Sequence, residues 1–476
     1  MKDWVGQSAR AVPDALAIIE GGRALTYLEL DREVGRAAAW LESSGVKAGA
    51  LVGLYAPSSI ETVIMIHALI RVGATVVPLN RRLSVPELEY QVTFVDIVIS
   101  DKAFPIKFQL IHSLFDYANF QDTRPTPPSE IDLDAVHALM FTSGTSGKPK
   151  PAALTYGNHF YSAVASALRI GALPDDRWLC CMPLYHMGGL SILLRCALYG
   201  TCVVLQDGFD VERVNASFDQ DRVTLASLVP TMLYRLIDSR TAPPPHLRMA
   251  LIGGAAATSE LVQAAQAAGF PVVTTYGLTE TASQVATQTP ERTLIKPGSV
   301  GKAIPFTEIH IEDEQGRPLP AGETGEVVVR GPTVMRGYHQ HSEATAQTLR
   351  GGALHTGDLG YLDADGDLWL VQRRSDLIVT GGENVYPAEV EAALRTHPAV
   401  RDACVVGVAH PEWGQQVAAM IVTDGEVDLD QIAADLRGKL AGYKIPRIVR
   451  VVDALPLTGS GKIARKAVAE ALSATK

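Results

Sequence analysis

Short apolar runs alternate with helical patterns through the first half of the chain. Residues 50–56 predict a strand, the apolar positions of 60–73 follow a helical period, and 74–79 predict a second strand. This alternation is typical of β-α-β units, which build parallel sheets. We therefore expect an α/β fold with stacked, mixed or parallel sheets. Further strands are predicted at 202–205, 224–230, 249–254 and 271–277.

The pattern changes after Gly298. Short alternating strands with tight turns predict a β-rich subdomain over about 298–374. Beyond that, an α+β pattern returns, and we expect residues 1–374 to form the large N-terminal domain and 375–476 a small C-terminal domain. In the small domain, helices are predicted at 387–397 and 429–440 and strands at 402–410 and 418–423.

Composition excludes several classes of protein. With 47% apolar and 20% charged residues, the chain is typical of an ordinary globular enzyme. A net charge of -10 argues against a nucleic-acid partner. The apolar stretch 63–79 is interrupted by His67 and Arg71 and is too short to span a membrane. Residues 1–22 show no secretory signal.

The cysteines favour a reducing compartment. There are five of them, without a C-x-x-C pair, and most lie in apolar surroundings. We expect buried free thiols in a cytoplasmic protein. They are Cys180, Cys181, Cys196, Cys202 and Cys404.

A segment rich in hydroxyls, glycine and lysine follows the apolar run 138–141. Residues 142–150 read TSGTSGKPK. Glycine lets backbone N–H groups face an anion, hydroxyls add donors, and Lys148 or Lys150 adds charge, so the segment predicts a phosphate cradle. It is not a Walker loop, which would need Gly at 142 and Ser or Thr at 149. A solvated turn is the alternative.

Four later segments place the cradle in a family context: YGLTE at 276–280, TGD at 356–358, 373–391 and LPLTGSGKIARK at 455–466. In this order, the five segments resemble the adenylate-forming superfamily of acyl-CoA synthetases, adenylation domains and luciferases. The resemblance covers almost the whole chain. One departure is Pro151, where the family usually has Gly, so an N–H donor is missing there. The resemblance implies that the small domain is a mobile lid over the active site.

The resemblance implies an AMP-forming ligase. A carboxylic acid would attack the α-phosphate of ATP, pyrophosphate would leave, and a thiol such as CoA would take the acyl group. Thr279 would contact the α-phosphate, and Glu280, a solvated turn residue in the alternative view, would bind Mg²⁺. The β- and γ-phosphates would lie at Thr142, Ser143, Gly144, Thr145, Ser146, Gly147 and Lys148.

Matching positions also supply nucleoside contacts. Tyr276 would stack on adenine, and Asp358 would accept hydrogen bonds from the ribose hydroxyls. Arg373 would add a second ribose contact, with an ordinary surface salt bridge as the alternative. Three residues are small enough to let adenine lie against the backbone, namely Gly253, Gly254 and Ala255.

The lid and the thiol tunnel account for the remaining positions. Lys462 would reach the carboxylate and the α-phosphate only during adenylation. Rotation at Ser375, where many relatives carry Asp or Lys, would then bring Gly381 and Gly382 to the pantetheine channel. His186 would gate the tunnel at the mouth of the acyl pocket, with a structural histidine as the alternative.

Three pocket-forming stretches, 155–168, 183–200 and 276–287, resemble the 2-succinylbenzoate-CoA ligases of menaquinone biosynthesis. Such a substrate has a second carboxylate that needs a polar anchor in the pocket. Arg195 is one candidate for this anchor, and an interhelical salt bridge is the alternative for it. Other open functions are an aryl- or medium-chain acyl-CoA synthetase, an adenylation enzyme that loads a carrier protein, and a non-catalytic nucleotide-binding protein. A homo-oligomer also stays open. The candidate anchors are Ser191, Arg195, Ser283 and Gln284.

Overall fold

The computed structural model describes residues 2–120, 126–127, 129–143, 149–255, 257–372, 377–425, 427–456 and 463–474. The α-helices of these residues are α1 (Trp4–Ala11), α2 (Tyr27–Ser43), α3 (Ile60–Val72), α4 (Val85–Val92), α5 (Tyr156–Ile170), α6 (Met187–Tyr199), α7 (Val211–Gln220), α8 (Pro230–Ser239), α9 (Ser259–Ala267), α10 (Pro290–Ile295), α11 (Ser342–Thr348), α12 (Pro387–Arg395), α13 (Leu429–Arg437) and α14 (Arg465–Ser473).

The strands up to residue 303 are β1 (Leu16–Glu20), β2 (Arg23–Thr26), β3 (Leu51–Tyr55), β4 (Thr75–Pro78), β5 (Ile97–Ser100), β6 (Ile111–Ser113), β7 (Val136–Ser143), β8 (Pro149–Thr155), β9 (Arg177–Cys180), β10 (Cys202–Leu205), β11 (Leu225–Leu228), β12 (Met249–Ile252), β13 (Val272–Leu278), β14 (Ser283–Thr287) and β15 (Lys302–Ala303). The later strands are β16 (Glu308–Glu312), β17 (Gly325–Arg330), β18 (Gly337–Tyr338), β19 (Leu349–Arg350), β20 (Ala353–Leu362), β21 (Leu368–Gln372), β22 (Ile378–Thr380), β23 (Glu383–Val385), β24 (Val400–His410), β25 (Gly414–Thr423) and β26 (Ile448–Val451).

Two large sheets hold most of the N-terminal strands. In the described residues, one has nine strands in the order β15-β14-β13-β12-β11-β9-β10-β1-β2, and its central pairs from β13 to β1 are parallel. The other has seven, β18-β8-β7-β4-β3-β5-β6, and its pairs from β7 to β6 are parallel. Strands β4 and β12 are buried along their whole length. Burial on both faces explains why β12 is continuously apolar, and the one polar residue of β4, Thr75, donates its hydroxyl to the Val136 carbonyl at 2.9 Å.

Helix α3 is buried on every side. All residues from Thr62 to Arg71 are shielded from solvent, so the helix is apolar all round. Its two polar interruptions are accommodated differently. Arg71 donates to the carboxylates of Asp3 and Asp31 at 2.9 and 2.5 Å, whereas burial lowers the pKa of His67 to about 4 and keeps it neutral. None of the helices in the described residues is long and apolar enough to cross a membrane.

Two smaller sheets complete the fold. Five described strands form an antiparallel sheet in which β16, β17, β20 and β19 are neighbours and β21 pairs with β20. This confirms the β-rich region, although β15 and β18 in the same range pair with the large sheets. The C-terminal strands form the sheet β23-β22-β25-β24, with β26 parallel to β25. Separate apolar cores lie under α12 and α13 and under α14.

The chain divides into two compact units. The first comprises Met1–Arg81, Phe94–Met140 and Pro151–Gln372, and the second comprises Arg82–Thr93, Phe141–Lys150 and Arg373–Lys476. Helix α4 therefore belongs with the C-terminal part of the chain. The predicted boundary at residues 374–375 lies outside the described residues and stays a prediction.

The elements predicted from the pattern of apolar positions are found in the structure. The β-α-β unit predicted over 50–79 is β3, α3 and β4, and the C-terminal helices are α12 and α13. The five cysteines are free and buried, as expected. The predicted α/β fold class with a β-rich region and a small α+β domain is confirmed.

Candidate active site

A strained turn joins β13 to β14 and carries two of the predicted site residues. Thr279 and Glu280 lie in a 3₁₀ turn, and the next two residues, Ala282 and Ser283, have φ values of 50° and 107°. The turn folds back so closely that a Cβ added at Gly277 would lie 1.8 Å from the carbonyl oxygen of Ser283. Only glycine fits there. Non-glycine residues in the left-handed region are concentrated at functional sites, which agrees with the roles predicted for this turn.

Glu280 is a buried carboxylate, with only 9% of its surface exposed. The hydroxyl of Tyr338 donates a hydrogen bond to its Oε1 atom at 2.8 Å. Within the part of the chain that the structure describes, no lysine or arginine forms an ion pair with Glu280. A buried carboxylate without a cationic partner needs compensation. Its chemistry therefore fits the Mg²⁺ ion predicted at this position.

The predicted nucleoside contacts lie close together. The Tyr276 hydroxyl donates to Asp358 Oδ2 at 2.6 Å, although 82 positions separate the two residues in the sequence, and both are buried. Gly253 lies beside β13, the strand that carries Tyr276, and a Cβ at Gly253 would approach the Thr275 side chain to 2.8 Å. Gly254 follows in the left-handed conformation, with φ of 76°. The structure thus brings together Tyr276, Asp358, Gly253 and Gly254, with Ala255 next in the chain.

Helix α6 carries the residues predicted for the acyl side. His186 is its N-cap residue, and Ser191 and Arg195 lie one turn apart in its buried part. The Arg195 guanidinium stands 5.6 Å from the centre of the Trp178 ring, and Nη2 donates to the Ser162 hydroxyl at 3.3 Å. Burial lowers the pKa of Arg195. Among the described residues no carboxylate pairs with it, and its Nε atom has no hydrogen-bond partner. The interhelical salt bridge is therefore not found.

Ser162 links Arg195 to the strained turn. Its hydroxyl accepts from Arg195 and donates to the carbonyl oxygen of Ala282 at 2.7 Å. The other candidate anchors are placed differently. Ser283 lies half-buried in the turn itself, while the amide nitrogen of Gln284 donates to the Thr287 hydroxyl at 3.0 Å. Gln284 therefore has a local partner, whereas Arg195 does not have an acidic one.

Sequence reasoning missed two further polar residues near the site. Tyr338 and Ser162 contact Glu280 and Ala282 from 58 and 120 positions away. Ser162 lies within the pocket-forming stretch 155–168, which is the signal that could have found it, whereas no motif covers Tyr338. A buried histidine, His159, also lies near Arg195, and a second buried histidine, His137, contacts it. The rings of His137 and His159 lie 4.7 Å apart, and burial lowers the pKa of His159 to about 3.

The glycine pair of the C-terminal part forms a tight hairpin. Gly381 and Gly382 join β22 to β23 with φ values of 57° and 86°, as a type I′ turn requires. A Cβ at Gly381 would lie 2.9 Å from the ring of Trp413. Glu383, directly after the turn, forms an ion pair with Arg82 at 2.7 Å. Main-chain geometry and an ion pair therefore both hold this turn in place.

Several predicted site residues lie outside the described residues. Of the cradle, the structure describes the side chain of Thr142, whose hydroxyl donates to the Lys150 carbonyl at 3.4 Å. The site residues that lie outside the described part of the chain are the Ser143 side chain, Gly144, Thr145, Ser146, Gly147, Lys148, Arg373, Ser375 and Lys462. The roles assigned to all site residues stay predictions.

Comparison with known proteins identifies the family. The model of the AMP-binding enzyme family matches residues 5–339, and that of the AMP-binding enzyme C-terminal domain matches 389–462. The chain belongs to the AMP-binding enzyme family. This confirms the predicted membership of the adenylate-forming superfamily. The AMP-binding enzyme described here is 40% identical to the 2-succinylbenzoate-CoA ligase of Bacillus licheniformis, over 97% of this chain and 98% of that protein.

Two solved structures of o-succinylbenzoate coenzyme A synthetase from Bacillus subtilis are also similar. A double mutant bound to its product analogue OSB-NCoA gives a TM-score of 0.94 at 37% identity, covering 99% of this chain and 98% of that one. The complex with ATP and magnesium gives 0.76 at 36% identity, covering 98% and 99%.

Proposed function

We propose that this AMP-binding enzyme is an ATP-dependent 2-succinylbenzoate-CoA ligase. In the first step, the succinyl carboxylate attacks the α-phosphate of ATP, which gives 2-succinylbenzoyl-AMP and pyrophosphate. In the second, the thiol of CoA attacks the acyl carbon, which gives 2-succinylbenzoyl-CoA, AMP and a proton. Similarity over the full chain to ligases of this specificity supports both steps. We place the reaction in the cytoplasm, since five free thiols suit a reducing compartment.

The observation that carries the choice of acid is the buried Arg195. A guanidinium that is 3% exposed and lacks an acidic partner among the described residues is costly to bury. The ring carboxylate of 2-succinylbenzoate would supply the missing charge. Ser191, one turn earlier on the same face of α6, would add a hydroxyl donor.

The turn after β13 would orient the reacting groups. Thr279 would donate to the α-phosphate, and Glu280, held by Tyr338, would bind the Mg²⁺ that accompanies ATP. The cation would supply charge neutralisation at the phosphate oxygens. Asp358 would bind the ribose hydroxyls, with its orientation set by the Tyr276 hydroxyl. In this mechanism, the chain contributes positioning and charge and forms no covalent intermediate.

The second step would use the hairpin at Gly381 and Gly382. Two adjacent glycines present bare backbone, so that the pantetheine arm of CoA can pass close to the main chain. His186 would stand at the pocket mouth, beside the ring of Tyr185 at 4.7 Å between centres. A carrier-protein thiol is the alternative acceptor, and direct comparison of the two thiols tests it.

The experiment compares two acids that differ only in the ring carboxylate. We expect kcat/KM for 2-succinylbenzoate to exceed that for 4-oxo-4-phenylbutyrate by roughly 10³ or more, as sites built around a polar substrate group discriminate strongly. Arg195→Gln should reduce this preference to about tenfold or less, by lowering the rate with 2-succinylbenzoate alone. A preference that survives the substitution would remove Arg195 from the anchor.

Arg169→Gln is the matched control. Arg169 is a half-buried arginine of α5 that donates to the Ala303 carbonyl at 2.6 Å. The control should leave the ratio of the two acids unchanged. If the wild-type enzyme prefers benzoate or a fatty acid, the proposed specificity is wrong and the adenylate-forming chemistry alone stands.

A further inference from the structure

The hydroxyl of Ser162 forms its hydrogen bonds outside its own helix. Helical serines commonly donate to a carbonyl three or four residues earlier in the same helix, and Ser43 of α2 does so, to the Trp40 carbonyl at 2.7 Å. Ser162 lies in α5 and instead donates at 2.7 Å to the carbonyl oxygen of Ala282, which is 120 positions away. This side chain therefore connects α5 to the strained turn after β13.

The same hydroxyl orients the Arg195 guanidinium. A serine hydroxyl has one donor and two acceptor positions. Because its proton is donated to Ala282, an acceptor position is left for Nη2 of Arg195, 3.3 Å away. Ser162, Ala282 and Arg195 are 2%, 0% and 3% exposed. Water therefore cannot readily replace either bond, and removing the hydroxyl leaves buried polar groups without a partner.

A second set of contacts fixes α5 relative to the same turn. Asn158, one turn before Ser162, donates its side-chain amide to the Val334 carbonyl at 2.9 Å. The next residue, Met335, donates its backbone N–H to the Glu280 carbonyl at 2.8 Å. The first two turns of α5 thus hold the strained turn at two points, and Ser162 provides the direct one.

The strained turn needs this support. Ala282 has a φ of 50°, which is unfavourable for a residue with a side chain. Its N–H donates to the Thr279 carbonyl at 3.1 Å, so a shift of Ala282 would also move Thr279. Such conformations persist only where the surrounding structure imposes them. The bond from Ser162 is therefore part of what places Thr279 and Glu280.

We infer that Ser162 is a positioning residue for both ends of the active site. It orients Arg195, the proposed anchor of the ring carboxylate, and it holds the turn that carries Thr279 and Glu280. One hydroxyl then contributes to acid specificity and to adenylation. The inference rests on the proposed function, and it adds a residue to which no role had been assigned.

The test uses ATP–pyrophosphate exchange by the full-length enzyme with two acids. The rate with 4-oxo-4-phenylbutyrate depends on the turn and not on the anchor, because this acid lacks the ring carboxylate. Ser162→Ala should lower its kcat about tenfold, as the loss of a buried hydrogen bond implies. Its KM should stay within about twofold of the wild-type value, since the turn acts on the reaction and not on binding of the acid.

The second effect is on acid preference. In Ser162→Ala, kcat/KM for 2-succinylbenzoate should fall about tenfold more than that for 4-oxo-4-phenylbutyrate, because Arg195 also loses its orientation. Arg195→Gln should lower the preference alone. Adding Ser162→Ala to Arg195→Gln should lower the preference no further, since both changes act through one guanidinium, but it should still slow exchange with 4-oxo-4-phenylbutyrate.

Ser8→Ala is the matched control. Ser8 is also buried, and its hydroxyl donates to the Ala197 carbonyl of α6 at 2.7 Å, so this variant removes a bond of the same kind and length from the helix that carries Arg195. It should leave both rates and the preference unchanged. Ser162→Cys keeps a side chain of similar size with a weak donor and should resemble Ser162→Ala, which separates lost hydrogen bonds from lost volume. Thermal unfolding checks that each variant is folded.

Either of two results would overturn the inference. An unchanged acid preference in Ser162→Ala would exclude the role at Arg195, and an unchanged rate with 4-oxo-4-phenylbutyrate would exclude the role at the turn. Failure of the proposed function has a different signature, because the wild-type enzyme itself would then show no preference for 2-succinylbenzoate. Exchange with the acid that it does prefer would in that case decide the role of Ser162 at the turn.

Discussion

The contact between Tyr338 and Glu280 provides a direct test of the metal site. Tyr338→Phe removes one hydroxyl and keeps the ring, so packing is retained. The lost bond is 2.8 Å long and joins residues that are 8% and 9% exposed, so water replaces it poorly. A bond to a charged acceptor contributes about 1.5–3 kcal/mol. Residues that orient a metal ligand typically change metal affinity by about 10–100-fold.

We therefore expect the Mg²⁺ concentration that gives half-maximal ATP–pyrophosphate exchange to rise about tenfold to thirtyfold, from the lower end of that energy range. Tyr361→Phe is the control, since this tyrosine stacks on Trp369 in a different sheet, 6.1 Å between ring centres. Glu280→Gln should raise the requirement further, and adding Tyr338→Phe to it should have little extra effect, because both changes act through one carboxylate. An unchanged Mg²⁺ requirement in Tyr338→Phe, or full additivity in the double variant, would refute this reasoning.

Two further predictions concern stability and the strained turn. Burial holds the pKa of His67 at about 4, below the unfolded value of 6.5. The unfolded chain therefore binds the proton first, and stability falls as pH drops below about 6.5. Between about pH 7.5 and 5.5, His67 should lower the free energy of unfolding by about 1.4 kcal/mol. In urea titrations at the two pH values, the free energy of unfolding of His67→Gln should fall by correspondingly less than that of the wild type. Equal falls in the two proteins would contradict a neutral buried His67. Gly277→Ala would place a Cβ 1.8 Å from the Ser283 carbonyl oxygen, so we expect ATP–pyrophosphate exchange to be at least about tenfold slower. Gly208→Ala is the control: a Cβ there meets nothing within 4 Å, so this variant tests only the loss of a glycine with a positive φ, here 83°. Equal activity of the two variants would show that the close approach at Gly277 is unimportant.

Local order along the chain was predictable wherever neighbours in the sequence decide it. The strand, helix and strand over residues 50–79 follow from the spacing of apolar side chains, because one face or all faces of each element must be buried. The Gly381–Gly382 hairpin follows from two adjacent residues that tolerate positive φ. The segments that carry the family resemblance are likewise continuous stretches, so the chemistry of the site was accessible from them.

The partners of the site residues were not predictable in this way. Tyr338 contacts Glu280 across 58 positions, and Ser162 contacts Ala282 across 120. A hydrogen bond or ion pair depends on distances of about 3 Å, and those are set by how strands and helices from separate segments pack. The same holds for Arg195, whose lack of a described acidic partner is a property of its surroundings and not of the sequence around it.

The sequence by itself therefore determined the fold class, the family and the residue types that the reaction needs, because each depends on local pattern and continuous motifs. Only the tertiary structure decided which of these residues are buried, which share a hydrogen bond and which charges are left for a ligand to match. Burial and desolvation depend on the whole packed chain, and they set the strength of every electrostatic contact in the site.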